Sequence, residues 1–400
     1  MPVPPMKRTL IQTFVPDSWC RTLQQRYSLL MKRRSFLAVP LASFQLAAAA
    51  TSEDRVFAYG DGIPHTPEEY ARLLTSLTSN GKITPDDYSR GGAVEQLEMR
   101  MASVLGKEAA VWLPTGTLAN HLAVRILAGS RRRVLVQAES HLQNDCGDCA
   151  ETLSGLHLIG LAPGKATFTL EEAERAANDA MLGRVATPVG ALQIETPVRR
   201  LNGERFDFQE MQKISAWARP RQVGLHLDGA RLFLESAYAK KPIKDYCTLF
   251  DTVYISMYKY FNSGSGAVLA GPKALLADLY QTRRMFGGGL PHVWPYAAVA
   301  MHFLEGFEQR FQTAVEHAEQ AMSLLSTEGH FAFERIPNGT NVFRMHVSDV
   351  NAPVYQGRLE EAGISARIPV GTDWFTLQVN ETWARVPPAE IVRRFRKALG

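Results

Sequence analysis

The chain has 400 residues, 46% of them hydrophobic and 21% charged, the composition of a soluble globular protein long enough for two domains with full cores. Its formal charge of +4 is small for that length, and the basic residues are scattered or gathered near the amino terminus, so neither nucleic acid nor an anionic membrane surface is implied as a partner. Cys20, Cys146, Cys149 and Cys247 are too few for a disulfide framework, and no run of about 20 apolar residues marks a permanent membrane span.

Residues 1–50 read as a leader. Met31-Lys-Arg-Arg-Ser-Phe-Leu37 is a twin-arginine pattern, and it runs into the uncharged stretch Phe36 to Ala50, which ends in small residues. That order predicts an export signal over 31–50, delivery of a folded protein to the periplasm, a natural start at Met31, and an over-extended reading frame over 1–30. A basic leader that stays in the cytoplasm is the alternative.

After the leader, Pro64 to Gly81 has helical spacing. Val94, Leu97, Met101, Val104 and Leu105 then fall on one face of a second helix, a core face. Strands near 109–113, 134–138, 156–161, 190–195, 223–227, 252–256 and 265–270 alternate with helices near 117–128, 143–153, 170–181, 207–218 and 272–281. This alternation predicts a three-layer α/β domain over 55–311, a mostly parallel sheet covered on both faces. A long helical run over 291–327, broken near Phe311, leads into a smaller α+β carboxyl-terminal domain, 312–400. Its strands are expected near 331–336, 341–347, 365–368 and 375–379, with helices at 352–362 and 388–399.

The chemistry gathers at strand ends. Ala109-Ala-Val-Trp-Leu-Pro-Thr-Gly-Thr-Leu-Ala-Asn120 passes from an apolar strand through Pro114, Thr115, Gly116 and Thr117 into an amphipathic helix, the outline of a phosphate cradle. Gly116 allows close backbone approach, the helix offers unpaired N–H groups, and two threonine hydroxyls add hydrogen bonds. Val134-Leu-Val-Gln-Ala-Glu139 delivers Ser140 and His141 to the same edge, where an imidazole can stack on a flat ring. His226-Leu-Asp-Gly-Ala-Arg231 places Asp228 at the end of another strand, and Tyr254-Ile-Ser-Met-Tyr-Lys-Tyr260 carries Lys259 one strand further on.

An amine that holds an aldehyde carbon and a carboxylate that keeps a pyridine nitrogen protonated are the two groups that pyridoxal phosphate chemistry requires. Asp228 and Lys259 supply them. In an open α/β sheet both project from the carboxyl ends of strands into one crevice. His226 alternates with Asp228 and is expected beneath the ring. Cys146-Gly-Asp-Cys149 has no second half of a zinc site nearby, so no metal is expected; the two read as helix cysteines or, in an oxidising compartment, an oxidised pair.

With these residues in order, the chain resembles the threonine aldolase and aromatic amino acid β-eliminating lyase family, which has the aspartate aminotransferase-like (type I) PLP fold. The likeness rests on Leu105-Gly-Lys-Glu-Ala-Ala110, Pro114-Thr-Gly-Thr-Leu-Ala-Asn120, Ser140-His141, His226-Leu-Asp-Gly-Ala-Arg-Leu-Phe233, Lys259 with Ser263 to Gly271, and Arg283-Arg-Met-Phe-Gly-Gly-Gly289. It implies that Lys259 carries the cofactor, Asp228 partners the pyridine nitrogen, and His141 stacks on the ring. Thr115, Gly116 and Thr117 become phosphate ligands and Arg231 a contact for the substrate carboxylate. It also implies a homodimer or homotetramer whose sites are shared through Arg283, Arg284 and Gly287–Gly289.

Departures from the family pattern fall on the substrate side. Gly60 stands where the family has a substrate-touching serine, Glu195-Thr-Pro-Val-Arg199 replaces Glu-Asn-Thr-His-Asn, and Trp374-Phe-Thr-Leu-Gln-Val-Asn380 has no arginine. The reading expected is an aldolase-type lyase that cleaves a β-hydroxy-α-amino acid to glycine and an aldehyde. β-Elimination or transamination of another amino acid is the runner-up. An exported, non-catalytic binding protein of the same fold is the third possibility.

Overall fold

Seven strands form the central sheet of the computed structural model, which describes residues 54–400. They are β2 (Ala109–Leu113), β3 (Arg133–Gln137), β4 (His157–Leu161), β5 (Val189–Glu195), β6 (Gly224–Asp228), β7 (Thr252–Ser256) and β8 (Ala267–Gly271); β1 (Val56–Phe57) lies apart from them. The spatial order is β2-β8-β7-β6-β5-β3-β4. Ladders β3–β4, β3–β5, β5–β6 and β6–β7 are parallel, while β8 runs antiparallel to both β2 and β7. All seven fall within two residues of the positions expected. β5, β7 and β8 are buried at every residue, as an uninterrupted apolar strand between two helical layers must be.

This topology sets the site. β2, β3, β5, β6 and β7 all run the same way, so their carboxyl ends and the residues that follow them share one edge. Register brings three side chains shoulder to shoulder there, because Glu195 on β5 pairs with Asp228 on β6 and Asp228 pairs with Tyr254 on β7.

A second sheet, β12 (Phe375–Gln378), β10 (Val342–Val347) and β9 (Phe331–Arg335) in that order, is antiparallel. It reaches back to the start of the described chain. β1 pairs in parallel with β11 (Ile364–Ser365), the Gln378 N–H donates to the Ala58 carbonyl at 2.9 Å, and the Asn380 side-chain amide donates to the carbonyls of Phe57, Tyr59 and Gly60. The carboxyl-terminal segment therefore holds Tyr59 to Asp61 in place.

Three helical expectations are corrected. The long run breaks at Glu305–Gly306, where Gly306 adopts φ +70°, and a helix then spans Phe307–Ser326 without interruption. Phe311 is mid-helix and stacks on Phe307 at 5.5 Å. The helix expected over 143–153 is two short ones, His141–Asn144 and Cys149–Ser154, parted where Gly147 and Asp148 take φ +59° and +51°. The 272–281 helix likewise divides into Lys273–Leu276 and Leu279–Met285. A helix at Leu232–Ala239 was not foreseen; its opening Leu-Phe-Leu-Glu is buried at every residue, which erases the amphipathic period. Residues 1–50, with the twin-arginine pattern, lie outside the described residues. Among the described residues no helix is long and apolar enough to cross a membrane.

Candidate active site

A cavity of about 350 Å³ opens at the shared strand edge, within the range of a cofactor pocket. One end is the cradle. Thr115 caps the helix Gly116–Ala128, its hydroxyl accepting from the Leu118 N–H at 3.2 Å, and Thr117 follows in the first turn. A Cβ at position 116 would run into the buried Tyr254 phenol, so glycine is required where backbone, phenol and ligand converge. Unpaired first-turn N–H groups and two hydroxyls suit a phosphate.

Asp228 is 2% exposed and stands across the cavity. No lysine, arginine or histidine forms an ion pair with it among the described residues. Instead, one carboxylate oxygen accepts from the Asn120 amide at 2.5 Å and the other from the Ala230 N–H at 3.1 Å. The chain of contacts continues inward: Asn120 Oδ1 accepts from His226 Nε2 at 2.8 Å, and His226 Nδ1 meets Thr252 Oγ1 at 2.9 Å. Burial pushes His226 down to about 4, so its ring is neutral, one nitrogen donating and the other accepting. His226 is fully buried and supports Asp228 through Asn120. Asn120, the last residue of the Pro114–Asn120 motif, has no role predicted from the sequence, yet it is the side chain that holds Asp228.

Lys259 lies three residues beyond β7, with its Nζ 5.4 Å from the Tyr258 ring centre. Its side-chain amine takes part in no hydrogen bond or ion pair among the described residues, while its carbonyl accepts from the Asn262 N–H at 3.1 Å. Burial, and after it the Arg231 guanidinium, bring its amine down to about 8. His141 borders the same cavity, its Nδ1 3.2 Å from the Cys146 thiol, and that contact is the main influence raising its pKa. Cys146 and Cys149 are both free and buried.

Glu195 was also missed. Its two oxygens accept backbone N–H groups from His141 at 2.6 Å and Arg199 at 2.9 Å, so a single buried carboxylate fixes two loops. Burial and neighbouring Asp228 push it up to about 7. Its signal is its position at the end of β5, legible only once the strand is aligned with β6.

Arg231 is found paired with Asp61: Nε lies 3.0 and 2.9 Å from the two carboxylate oxygens and Nη2 lies 2.8 Å from the second. That pair uses the Nε–Nη2 edge of the guanidinium; Nη1 has no hydrogen-bond partner among the described residues, and Arg231 borders the cavity in which it is expected to meet a substrate carboxylate. Arg283, expected at a subunit interface, is 2% exposed and donates to the carbonyls of Trp112, Tyr88 and Ser89, so it serves the interior of its own chain. Arg284 lies over the Tyr88 ring at 5.1 Å.

An anion cradle, a carboxylate without a cation, a buried amine and an imidazole thus line one cavity. They fit pyridoxal phosphate: Thr115, Gly116 and Thr117 suit its phosphate, Asp228 its pyridine nitrogen, Lys259 its aldehyde and His141 its ring face.

The model of the beta-eliminating lyase family matches residues 81–346, well over half of the chain. The low-specificity L-threonine aldolase of Candida albicans is 27% identical over 58% of this chain and 62% of its own. The alanine racemase TOXG of Cochliobolus carbonum is 30% identical over 55% and 56%. Both alignments span less than two thirds of the relative. A solved structure from Exiguobacterium sp. 255-15, assigned to the aromatic amino acid beta-eliminating lyase/threonine aldolase group, is 25% identical and superposes with a TM-score of 0.71 over 87% of this chain and 99% of its own.

Because the Lys259 amine loses its proton near pH 8 and not at the ordinary 10.5, capture of the cofactor aldehyde by cofactor-free protein should quicken as pH rises and level off above about 8. Visible absorbance followed after mixing checks this; a rate that is flat from pH 6 to 9 would show that the amine is already neutral, or not the group that reacts.

Proposed function

This chain belongs to the beta-eliminating lyase family, and we propose that it is a pyridoxal phosphate-dependent aldolase that cleaves a β-hydroxy-α-amino acid to glycine and an aldehyde. The observation that carries the reading is the Asp228–Lys259 pair in one cavity, the first held by Asn120 and Ala230 and the second buried as a readily neutral amine. Bound pyridoxal phosphate supplies an aldehyde that captures the substrate amine and a protonated ring that accepts the electron pair of a bond broken at Cα. Asp228 keeps a proton on the ring nitrogen. Lys259 would hold the cofactor aldehyde in the absence of substrate and, as a readily neutral amine, would move protons at the reacting atoms. His141 would lie against the cofactor ring and so help to orient the bond that breaks, and the choice of bond is a matter of that orientation.

The threonine aldolase and the racemase among the relatives differ in the bond at Cα that their names imply, so the bond cleaved is decided by substrate placement and not by the cofactor cradle. β-Elimination or transamination on the same scaffold remains the second reading. The intact Asp228–Lys259 pair speaks against a non-catalytic binding protein. We also read the twin arginines as an export address to the periplasm and the active assembly as at least a homodimer.

Purified holoprotein given threonine-like β-hydroxy amino acids should release glycine and aldehyde in equal amounts; ammonia or a new amino acid as the main product would move the assignment to elimination or transamination. Asp228→Ala should still bind cofactor through Lys259 and the cradle yet lose about a thousandfold or more in kcat, because an unprotonated ring is a poor electron sink. Near-normal turnover in that variant would remove the role given to Asp228. Replacing Arg33 and Arg34 by Lys should retain the protein in the cytoplasm with its leader uncleaved, as fractionation and amino-terminal sequencing would report. Light scattering of the holoprotein should give a dimer or larger; a fully active monomer would contradict the assembly.

A further inference from the structure

Cys146 and Cys149 have no part in the chemistry above, yet they stand directly behind it. Both are free and 9% exposed, within reach of an oxidant as small as a hydroperoxide. The Cys146 Sγ lies 3.2 Å from His141 Nδ1 and 3.7 Å from Thr117 Oγ1. One thiol thus touches the imidazole that suits the cofactor ring face and a hydroxyl of the phosphate cradle.

The two thiols also meet each other. Between them Gly147 and Asp148 take φ +59° and +51°, two successive left-handed residues, a conformation that the aspartate side chain resists. This turn joins the helix His141–Asn144 to the helix Cys149–Ser154 and returns the second sulfur to the first. Each thiol is the largest influence on the other's acidity, raising Cys146 and lowering Cys149, which places the two sulfurs in direct contact. Cys149 is therefore the one that loses its proton and reacts first.

Two other uses of the pair do not fit. Among the described residues no group of three histidine, cysteine or carboxylate side chains could hold a metal ion. As a staple the pair would close one of the shortest possible loops, which constrains the unfolded chain little. What remains is two adjacent thiols whose oxidation changes what one of them gives to His141.

We propose that Cys146 and Cys149 form a reversible oxidation site that controls how His141 and Thr117 are held against the cofactor, open as two thiols and closed as a disulfide. The proposal goes beyond the aldolase reading and rests only on the placement of the cofactor given above. With hydrogen peroxide as oxidant, the Cys149 thiolate attacks one peroxide oxygen, the O–O bond breaks and Cys149 becomes a sulfenic acid. The Cys146 sulfur then attacks the Cys149 sulfur, loses its proton, and the hydroxyl leaves as water. In all, two thiols give up two protons and two electrons, and one hydrogen peroxide becomes two waters. Closure removes the Cys146 proton and draws its sulfur towards Cys149, so the ring face and the cradle lose a common support. A dithiol reverses the step by exchange. In a reducing compartment the pair stands open, and in an oxidising one it needs a dithiol partner to stay open.

The test treats holoprotein with hydrogen peroxide. It reads the thiols by peptide mapping and mass spectrometry, and glycine binding by the change in cofactor absorbance, which does not depend on turnover. Treated wild type should lose the mass of two hydrogens, carry a Cys146–Cys149 bond, and bind glycine about tenfold more weakly, the effect of one lost hydrogen bond; dithiothreitol should restore it. Cys149→Ser keeps the contact of Cys146 with His141, and its glycine binding should stay within about twofold of reduced wild type before and after peroxide, as should that of Cys149→Ala. No bond between Cys146 and Cys149 after treatment, a bond that leaves glycine binding unchanged, or an equal loss in the Cys149 variants would overturn the proposal. The aldolase reading fails differently: a reversible loss of glycine binding in a protein that cleaves no β-hydroxy amino acid would sink the aldolase and leave the oxidation site standing.

Discussion

A buried carboxylate that forms no ion pair among the described residues is the constraint on which this structure turns. Leaving Asp228 charged in the interior is costly unless hydrogen bonds replace the water it has lost. The protein supplies them from neutral groups, the Asn120 amide and the Ala230 N–H, and backs the amide with a neutral His226 and Thr252. A lysine or arginine in that place would hold Asp228 more cheaply and would also satisfy it, leaving little for a protonated ring to gain. The neutral chain keeps the carboxylate available for a cation that the ligand brings.

Meeting that constraint shapes the packing far from the cavity. Asn120 reaches Asp228 across 108 positions of sequence only because the helix Gly116–Ala128 lies close on β6. Gly224, at the start of β6, makes room for it, since a Cβ there would sit 2.7 Å from the Leu127 Cβ. The same helix presents its amino terminus as the phosphate cradle. One element thus positions both ends of the cofactor, and a shift that relieved crowding at Gly224 would draw Asn120 off its partner and the cradle off its anion.

The sequence made the cofactor side legible and the substrate side much less so, for a reason rooted in chain distance. Thr115–Thr117, Asp228 and Lys259 follow directly on apolar strands, so each lies within a few residues of its own structural cue. Asp61 and Arg231 are 170 positions apart, and their pairing depends on the carboxyl-terminal sheet holding Tyr59 to Asp61 over the cavity. Glu195 required the β5–β6 register, and His226 required knowledge of what fills the space beneath β6. The long helix was foreseen but its break was misplaced, because Gly306 in a left-handed conformation interrupts the run more decisively than any feature at Phe311. Arg283 was misread for the opposite reason: a glycine run beside it suggests an exposed crossing, while three main-chain carbonyls fold the guanidinium inward.

The pairing of Arg231 with Asp61 also bears on the amine. Lys259 owes its lowered pKa first to burial and next to the Arg231 charge, while Asp61 and Asp228 pull it back up. An unpaired guanidinium at this distance would push the amine lower still, and an unpaired Asp61 would restore its proton. Holding the two together as a nearly neutral unit lets burial set the amine near 8, where it is reactive close to neutral pH without being permanently stripped of its proton.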